Sequence, residues 1–519
     1  MKPALVAWMA AGAGLFLGAA APAGPAPAGV GAGRFDPVTP CPFVAPGSPL
    51  AARVTCGYLD IPQDYAAPQS ARMRLPVAII RASGTVRKAD PVVFLHGGPG
   101  GGPLESPRSL ERFAMHPFAA SRDIILFSQR GSAGTGPALT CDALRGGRAE
   151  IYAADITLAV RDERIADAAI ACLRELAGQG RDLAAYGALD SARDLRALRV
   201  ALGIREWNVL AVSYGTLIAL DAARIDRGGV RSLILDSIVS PASDVFLADA
   251  SRNFSGGLDR LLAACAADEA CGRAFPDLSR RLRDLVGSLD AKPVTVTVAG
   301  AASEAPIDLV VNWHDFLGLL HWMLYNARTL PLVPVLINAT AGGDLRLLTQ
   351  LMDRIFPAPR NGPQGAAPVF FATACRDQYS PRHPRPLRPG NPAYRDFSIV
   401  SFMDRVCAAT APVPRIARPA PLRSRVPALL LSGAFDPMTP RQYAHDVART
   451  LPNALHVVIA DAGHSTLSDF EACQTRLAVT FLDDPGAAHA EAARADACSK
   501  GSGPRFATRL EDVLAALAK

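Results

Sequence analysis

The chain has 519 residues, of which half are apolar and a fifth are charged, and its formal net charge at pH 7 is +6. This length allows one large domain with an insertion, or two domains, around a sizeable hydrophobic core. The charge is mild, and no dense block of lysine and arginine alternates with aromatic residues, so a nucleic-acid partner is not expected.

The N-terminal segment, residues 1–28, is predicted to be a secretory signal peptide. A basic start is followed by an apolar stretch, Ala4–Ala21, and then by small residues and prolines. This order is typical of a cleaved export signal, with the cut near Ala21–Ala23 or Ala26–Ala28. The alternative is a membrane anchor, but the stretch is rich in alanine and glycine and runs into prolines. No second run is apolar enough to span a bilayer, so we expect a secreted or periplasmic protein.

Ten cysteines, an even number, fit an oxidising compartment. Their spacing favours pairing between sequence neighbours: Cys41 with Cys56, Cys141 with Cys172, Cys265 with Cys271, Cys375 with Cys407, and Cys473 with Cys498. Metal binding is the alternative role for these cysteines. No C-x-x-C or H-E-x-x-H spacing supports that role, so neither a metal nor another cofactor is expected.

Residues 29–240 are predicted to form the first part of an α/β core, after a linker over Gly29–Pro40. The predicted strands are Val54–Ile61, Arg72–Arg81, Pro91–Leu95, Ile124–Phe127, Trp207–Val212 and Ser232–Leu235. Helical patterns alternate with them, around Glu105–Ala119, Ser191–Leu202 and Thr216–Ala223. Short continuous apolar strands suit a parallel sheet that is covered on both faces.

Residues 241–368 are predicted to form a mainly helical cap inserted into that core, with one short strand, Val294–Val298, and an irregular end over Pro357–Pro368. Its predicted helices are Phe254–Cys265, Leu278–Leu289, Trp313–Tyr325, Leu332–Ala341 and Asp344–Ile355. The core resumes over residues 369–519. Its predicted elements are the strands Val426–Leu431 and Leu455–Ala460 and the helices Thr439–Leu451, Thr466–Leu482 and Arg505–Ala518. The fold class is therefore α/β, with a mostly parallel central sheet and an inserted helical cap.

Ser213 stands where a predicted strand meets a predicted helix, in the sequence Ala-Val-Ser-Tyr-Gly. A strand that turns sharply into a helix at a serine resembles the nucleophile elbow of α/β hydrolases. The turn exposes the hydroxyl and aims the N–H groups of the helix start at developing negative charge. The usual pattern is G-x-S-x-G, and Ala211 replaces its first glycine.

A serine nucleophile needs a base to remove its proton and a carboxylate to orient that base. Asp436 and His464 follow the serine in the order acid then histidine, each just after a late strand, and are predicted to complete a catalytic triad. Asp236, at the end of the strand after the elbow, is an alternative acid. Asp461 is a third, and is better suited to a turn.

The glycine-rich loop His96–Gly102 follows the first apolar core strand. Glycine lets the backbone come close to a ligand and point N–H groups at it. We predict an oxyanion hole formed by the N–H of Tyr214 and an N–H of this loop, with Gly98 preferred and Gly97 next. Phosphate binding is the alternative, but the spacing matches neither common phosphate-binding pattern.

Four stretches together resemble the secreted tripeptidyl aminopeptidase and proline iminopeptidase group of α/β hydrolases. They are His96-Gly97-Gly98-Pro99-Gly100, Gln129-Arg130-Gly131 with Gly134-Thr135-Gly136-Pro137, Ser213-Tyr214-Gly215, and the loops that carry Asp436 and His464. The resemblance implies a serine exopeptidase that needs no metal and releases residues or short peptides from free N-termini. The chain departs from the family at Ala211, where glycine is usual, and at Ser128, where aspartate is usual.

Related enzymes read the free amine of the substrate with acidic groups near the cap. The candidates here are Glu105, Asp244, Glu304, Asp315 and Asp377, of which Glu105 and Asp377 are preferred. Fold and triad would equally suit a carboxylesterase acting on small acyl esters, because both reactions pass through the same acyl-enzyme. A third hypothesis is an inactive hydrolase fold that binds a ligand. The expected partner is thus a peptide or a small ester.

Overall fold

The structure is a computed structural model that describes residues 33–141, 144, 151, 153–299, 306–355, 367–378, 388–410, 420–468, 472–488, 498 and 503–517. The predicted signal peptide, residues 1–28, and Glu304 lie outside the described residues.

A mixed β-sheet forms the centre of the described part of the chain, with nine strands, and two further strands form a separate hairpin. In chain order the strands are β1 (Arg34–Val38), β2 (Val54–Pro62), β3 (Arg72–Ile80), β4 (Val92–Leu95), β5 (Ile124–Phe127), β6 (Trp207–Val212), β7 (Val230–Asp236), β8 (Val294–Val298), β9 (Ile307–Val311), β10 (Ala428–Gly433) and β11 (Ala454–Ile459). The spatial order in the large sheet is β1-β2-β3-β5-β4-β6-β7-β10-β11.

The sheet is mostly parallel, as predicted. Strands β5, β4, β6, β7, β10 and β11 run parallel, whereas β1, β2 and β3 form an antiparallel edge that joins the rest through β5. Every residue of β4, β5 and β10 is buried, which fits strands covered on both faces. The carboxyl ends of the parallel strands meet at one edge of the sheet, where ligand sites form in such folds.

The helices cover the sheet and build the cap. They are α1 (Pro107–Ala114), α2 (Leu158–Gly178), α3 (Ala188–Ala201), α4 (Gly215–Ile225), α5 (Ala250–Ala267), α6 (Glu269–Ala274), α7 (Leu278–Ala291), α8 (Trp313–Tyr325), α9 (Val333–Ala341), α10 (Arg346–Ile355), α11 (Ala367–Gln378), α12 (Met403–Ala409), α13 (Arg441–Ala448), α14 (Cys473–Asp483) and α15 (Leu510–Leu517). None of these described helices combines the length and hydropathy that crossing a bilayer requires.

The sheet and the cap have separate hydrophobic cores. Two clusters lie on the two faces of the sheet, and one of them contains Val209 and Ala211 of β6. A third cluster joins α5, α7, α8, α9 and the β8–β9 hairpin. Phe397 and Val513 also belong to this cap cluster, so residues beyond 368 contribute to it.

Several elements differ from the prediction. The expected linker over residues 29–40 contains β1, an edge strand that pairs with β2, and its Pro37 is tolerated because an edge strand need not donate every N–H. The cap strand β8 pairs with a second strand, β9, which the sequence pattern did not predict. Helices α2 and α11 were not expected either, and the helix predicted from Thr466 begins only at Cys473, after a short 3₁₀ turn.

The structure confirms all five predicted disulfides, which are Cys41–Cys56, Cys141–Cys172, Cys265–Cys271, Cys375–Cys407 and Cys473–Cys498. Each closes a loop of between 6 and 32 residues. Such local crosslinks reduce the conformational entropy of the unfolded chain. The Cys375–Cys407 bond ties α11 to α12.

Candidate active site

Ser213 occupies a sharp turn between β6 and α4. Its backbone φ is +55°, in the left-handed region that residues other than glycine rarely adopt. Its N–H is held by the carbonyl of Asp236 at 2.9 Å, and its own carbonyl accepts the Thr216 hydroxyl at 2.6 Å. Ser213 is also partly exposed. The turn is therefore fixed by the protein around it, and the serine in it is not fully buried.

Two glycines allow the close packing around this turn. A Cβ on Gly215 would lie 2.6 Å from the carbonyl oxygen of Leu95, so only glycine lets α4 start this close to β4. A Cβ on Gly97 would lie 2.8 Å from the Cβ of Ser213, so the glycine-rich loop lies directly against the serine. Gly98 follows with a φ of +118°, which favours glycine. The loop thus brings its backbone to the serine through Gly97, and Gly98 shapes the turn beyond it.

Ala211 replaces the first glycine of the elbow pattern without disturbing it. Its methyl group is fully buried in the core cluster on one face of the sheet, and its backbone stays in register with β4 and β7. Ser128, at the second departure from the family pattern, is also buried, and its hydroxyl has no hydrogen-bond partner in the described structure.

Asp436 and His464 lie in the loops after β10 and β11 and form a buried pair. The His464 Nδ1 atom lies 2.9 Å from Asp436 Oδ2, and the same oxygen accepts the Thr439 hydroxyl at 2.7 Å. The other carboxylate oxygen, Oδ1, accepts the N–H groups of Met438 and Thr439, both at 2.8 Å. Asp436 is fully buried and His464 is 7% exposed. The carboxylate is therefore locked in one orientation toward the imidazole.

The pair is also coupled electrostatically. Burial alone would raise the pKa of Asp436, but the charge and hydrogen bond of His464 and the hydrogen bonds from Thr439 lower this pKa below its usual value. Burial alone would lower the pKa of His464, but the Asp436 carboxylate outweighs burial and raises that pKa. The contact therefore favours the imidazolium form of His464, as a base that accepts a proton requires.

Asp236, the alternative acid, holds the histidine loop instead of the imidazole. Its two carboxylate oxygens accept the N–H groups of Thr466 and Leu467, each at 3.0 Å. The neighbouring Ser237 hydroxyl accepts the N–H of Ser465 at 2.8 Å. Because the carbonyl of Asp236 also holds the N–H of Ser213, this residue links the serine turn to the histidine loop.

The cap supports the acid loop through α5. The Asn253 amide donates to the Met438 carbonyl at 2.8 Å, and the Arg260 guanidinium donates to the Ala434 carbonyl at 2.7 Å. Between them, a Cβ on Gly257 would lie 2.9 Å from the Phe435 carbonyl oxygen. The helix therefore rests on the backbone of the loop that carries the carboxylate.

The cap also supports the histidine loop through the end of α8. The Tyr325 ring packs against the His464 ring with centroids 4.6 Å apart. Gly463 is wedged between the Leu324 carbonyl and Gly433, where no side chain would fit. The imidazole is therefore held between the sheet and the cap. This contact could not be predicted from the sequence, because it depends on how the cap packs against the sheet.

The structure brings Ser213, Gly97, Asp436 and His464 to the same edge of the sheet through the loops after β6, β4, β10 and β11. No hydrogen bond joins the Ser213 hydroxyl to His464, both of which are described. Catalytic hydrogen bonds often form only when substrate is bound. The arrangement places a buried, oriented imidazole at the same edge of the sheet as a serine in a strained, partly exposed turn.

The acidic candidates for amine recognition lie in different places. Glu105 is exposed, and its carboxylate lies over Gly102 at the end of the glycine-rich loop. Asp377 lies behind Tyr214, whose hydroxyl donates to it at 2.6 Å. Asp244 is buried. Asp315 takes part in the N-terminal capping box of α8, and its carboxylate lies 3.8 Å from the Arg161 guanidinium. Of these described candidates, Glu105 alone is both exposed and in contact with the glycine-rich loop.

Comparison with known proteins gives matches of three kinds. A family described as the alpha/beta hydrolase fold matches residues 90–470. The serine protease Hip1 of Mycobacterium tuberculosis (strain ATCC 25618 / H37Rv) is 28% identical over 247 residues, 45% of each chain. The tripeptidyl aminopeptidase of Streptomyces lividans is 29% identical over 202 residues, 38% of this chain and 37% of that protein. Each alignment therefore spans less than half of the relative. A thermophilic esterase structure from Thermogutta terrifontis covers 82% of this chain and 98% of that chain, with 15% identity and a TM-score of 0.36.

Proposed function

This chain belongs to the α/β hydrolase family, and on that premise we propose that it is a serine hydrolase acting as an aminopeptidase. The observation that carries the proposal is the pairing of His464 with Asp436 at the sheet edge where Ser213 occupies the strand-to-helix turn. Serine, acid and histidine follow one another along the chain in the order of this family.

Acylation begins when the Ser213 hydroxyl attacks the carbonyl carbon of the scissile bond and His464 Nε2 takes the hydroxyl proton. Asp436 keeps the other ring proton on Nδ1 and stabilises the imidazolium that forms. His464 then gives its proton to the leaving amine, and an acyl-enzyme remains on Ser213. Water, activated by the same imidazole, hydrolyses that ester and frees the serine.

The negative charge on the carbonyl oxygen requires hydrogen-bond donors that are already in place. The N–H of Tyr214, at the start of α4, is one proposed donor, and a backbone N–H of the glycine-rich loop is the other. The close approach of Gly97 to Ser213 supports that loop as the second donor, through Gly97 or through Gly98 beside it. Each such donor contributes about 100-fold to 1,000-fold to kcat in serine proteases.

Action at a free N-terminus is supported by the relatives and by the cap. The names of the two matched relatives, a tripeptidyl aminopeptidase and a serine protease, both denote enzymes that cleave peptide bonds. Contacts from Tyr325 and from α5 join the cap to the loops of the proposed triad, which supports this proposal. A cap in this position limits how much of the substrate fits on the acyl side. Glu105 remains the preferred group for the substrate amine.

The substrate class is tested by a panel of chromogenic substrates with the purified protein. We expect tripeptidyl or single-residue arylamides with free amines to be cleaved, and the same arylamides with acetylated amines to be cleaved at least tenfold more slowly. Simple acyl esters serve as the comparison. Turnover of the esters alone would replace the aminopeptidase with a carboxylesterase. Failure of every substrate and of fluorophosphonate labelling would leave only an inactive binding protein.

The pH dependence follows from the raised pKa of His464. The imidazole must be neutral to accept the serine proton, so kcat/KM should rise with pH through the pKa of His464. Because Asp436 raises that pKa, the midpoint should lie above about 6.5, the ordinary value for histidine. His456→Gln is a matched control, since burial lowers the pKa of His456 to about 4 and its replacement should leave the profile unchanged. A midpoint below the ordinary histidine value would contradict the proposed Asp436–His464 coupling.

Export from the cytoplasm is part of the proposal. Its support is the set of five disulfides, because structural disulfides persist mainly in oxidising compartments. Peptides outside the cytoplasm are then the natural substrates. Fractionation of the cells that make the protein, followed by detection in periplasm or medium, tests this location.

A further inference from the structure

We propose that Asp377 is a positioning residue for the oxyanion hole, acting through the side chain of Tyr214. The inference rests on the proposed function, because it assumes that the N–H of Tyr214 stabilises the oxyanion. It gives Asp377 a role other than recognition of the substrate amine.

The first observation is the contact between Asp377 and Tyr214. Tyr214 directly follows Ser213 and is 2% exposed. Its hydroxyl donates to Asp377 Oδ2 at 2.6 Å. The proposed oxyanion donor and the anchored side chain therefore belong to one residue. Any shift of the phenol ring acts on the backbone N–H through a single Cα.

The second observation is that the same oxygen fixes a second helix start. Asp377 Oδ2 also accepts the N–H of Ala188, the first residue of α3, at 3.1 Å. Tyr214 stands immediately before α4, so one carboxylate connects the first residue of α3 to the side chain of the residue that precedes α4. Helix N-termini favour negative charge, and the N-terminus of α3 donates an N–H directly to this carboxylate. Asp377 thereby joins the helix behind the serine to its neighbour.

The third observation is that α11 holds Asp377 rigidly. On one side of it, the Thr373 hydroxyl donates to the Tyr186 carbonyl at 3.0 Å, and the Cys375–Cys407 disulfide ties the helix to α12. On the other side, the Gln378 side chain accepts the N–H of Phe246 at 3.1 Å. Because α11 is fixed on both sides, the Asp377 side chain can hold the Tyr214 hydroxyl, and with it the serine turn, in a constant position.

The charges around the carboxylate agree with this role. Burial raises the pKa of Asp377 to about 6, although the hydrogen bonds from Tyr214 and Ala188 and the nearby Arg376 oppose the rise. Arg376 itself pairs with Asp190 in the first turn of α3 at 3.1 Å, and Asp221 of α4 is a further nearby carboxylate that favours protonation of Asp377. The carboxylate is therefore ionised above about pH 6 and accepts both hydrogen bonds most strongly there.

The contacts also argue against recognition of the substrate amine. The oxygen that faces Tyr214 already accepts two protein donors, and the buried phenol ring stands between Asp377 and the residue that carries the nucleophile. A substrate amine would have to displace these donors. A role in placing Tyr214 requires no such rearrangement.

The test compares wild type with Asp377→Ala, Asp377→Asn, Tyr214→Phe and the double variant Asp377→Ala/Tyr214→Phe. Kinetics use the best substrate of the panel, together with a peptide boronic acid, which forms a tetrahedral adduct on the serine. We expect kcat and boronate affinity of Asp377→Ala to fall together by about 10-fold to 100-fold, while KM stays within about 2-fold of the wild-type value. The reason is that a displaced N–H loses part of the stabilisation that an oxyanion donor contributes. Asp377→Asn keeps an acceptor oxygen and should recover most of the loss. The double variant should be no worse than Asp377→Ala.

Asp226→Ala is the matched control. Asp226 lies at the C-terminal end of α4. Its Oδ2 and Oδ1 atoms accept hydrogen bonds from the Arg199 guanidinium at 2.6 and 2.8 Å. This variant should lower thermal stability and leave kcat of the folded protein and boronate affinity unchanged.

The outcomes separate the inference from the proposed function. Unchanged kcat and boronate affinity in Asp377→Ala would overturn the inference, and so would a higher KM with unchanged kcat, which marks a substrate contact. If Asp377→Ala does not fold, the kcat, KM and boronate affinity of Tyr214→Phe are judged in the same way, because this variant also removes the contact with Asp377. A wild-type protein that turns over nothing would instead show the failure of the proposed function.

Discussion

Replacement of Ser213 with alanine should abolish hydrolysis and labelling by a fluorophosphonate probe. The substitution removes the atom that forms the acyl-enzyme and leaves the turn, the oxyanion donors and the Asp436–His464 pair in place. Loss of the nucleophile alone costs about 10⁶-fold in kcat in a serine protease, and we expect a loss on the order of 10⁴-fold to 10⁶-fold here. Rates on the preferred arylamide and gel labelling with the probe measure it.

Ser128→Ala is the control for this substitution. Ser128 is a buried serine that follows β5, and its hydroxyl has no partner in the described structure. Removing an unpartnered buried hydroxyl should cost little stability and leave labelling intact. Labelling that persists in Ser213→Ala, or disappears in Ser128→Ala, would contradict Ser213 as the nucleophile.

Replacement of Asp436 with asparagine should reduce kcat by about 10⁴-fold while the protein stays folded. Asp436 Oδ1 accepts two backbone N–H groups, so the amide oxygen of the variant must take that side. The amide nitrogen is then forced toward His464 Nδ1, where it needs an acceptor. The imidazole must move its proton to Nε2, which is the wrong tautomer for a base that takes the serine proton. Steady-state kinetics and thermal unfolding measure both effects.

Asp236→Asn separates the two buried carboxylates. Asp236 accepts one backbone N–H on each oxygen, and an asparagine can keep only one of these bonds. We expect a stability loss of about 1–3 kcal/mol from the unpaired donor and a fall in kcat of no more than about 10-fold. The opposite result, with Asp236→Asn inactive and Asp436→Asn active, would move the acid of the triad to Asp236.

The strand-end residues of the candidate site could be predicted because their positions follow from local patterns. Ser213, Asp436 and His464 stand one, three and five residues beyond the ends of short apolar strands. Parallel strands bring their carboxyl ends to one edge, so the spacing along the chain predicts closeness in space. The disulfides could be predicted for a similar reason, since all five join neighbours in sequence.

The supporting contacts could not be predicted, because they depend on tertiary packing. Asp377 lies 163 residues from Tyr214 and 189 from Ala188, and nothing in the pattern around it indicates either partner. Helix α11 was missed because Pro368 ends a proline-rich stretch, although proline is well tolerated in the first turn of a helix. Helix α2 had a usable signal, since Ala166, Ile170 and Leu173 are buried with helical spacing.

Gly463 packs tightly between the cap and the sheet. The same contact would therefore control both substrate access and the position of the His464 imidazole. If α8 lifted away to admit a bulky molecule, it would take with it the Tyr325 ring and the Leu324 carbonyl that hold the imidazole loop in position. The proposed general base, His464, would lose its alignment in the same movement. Under the proposed function, a protein with its cap displaced would therefore be inactive, and we expect it to spare folded proteins and to cleave short peptide ends that fit beneath the cap in its closed position.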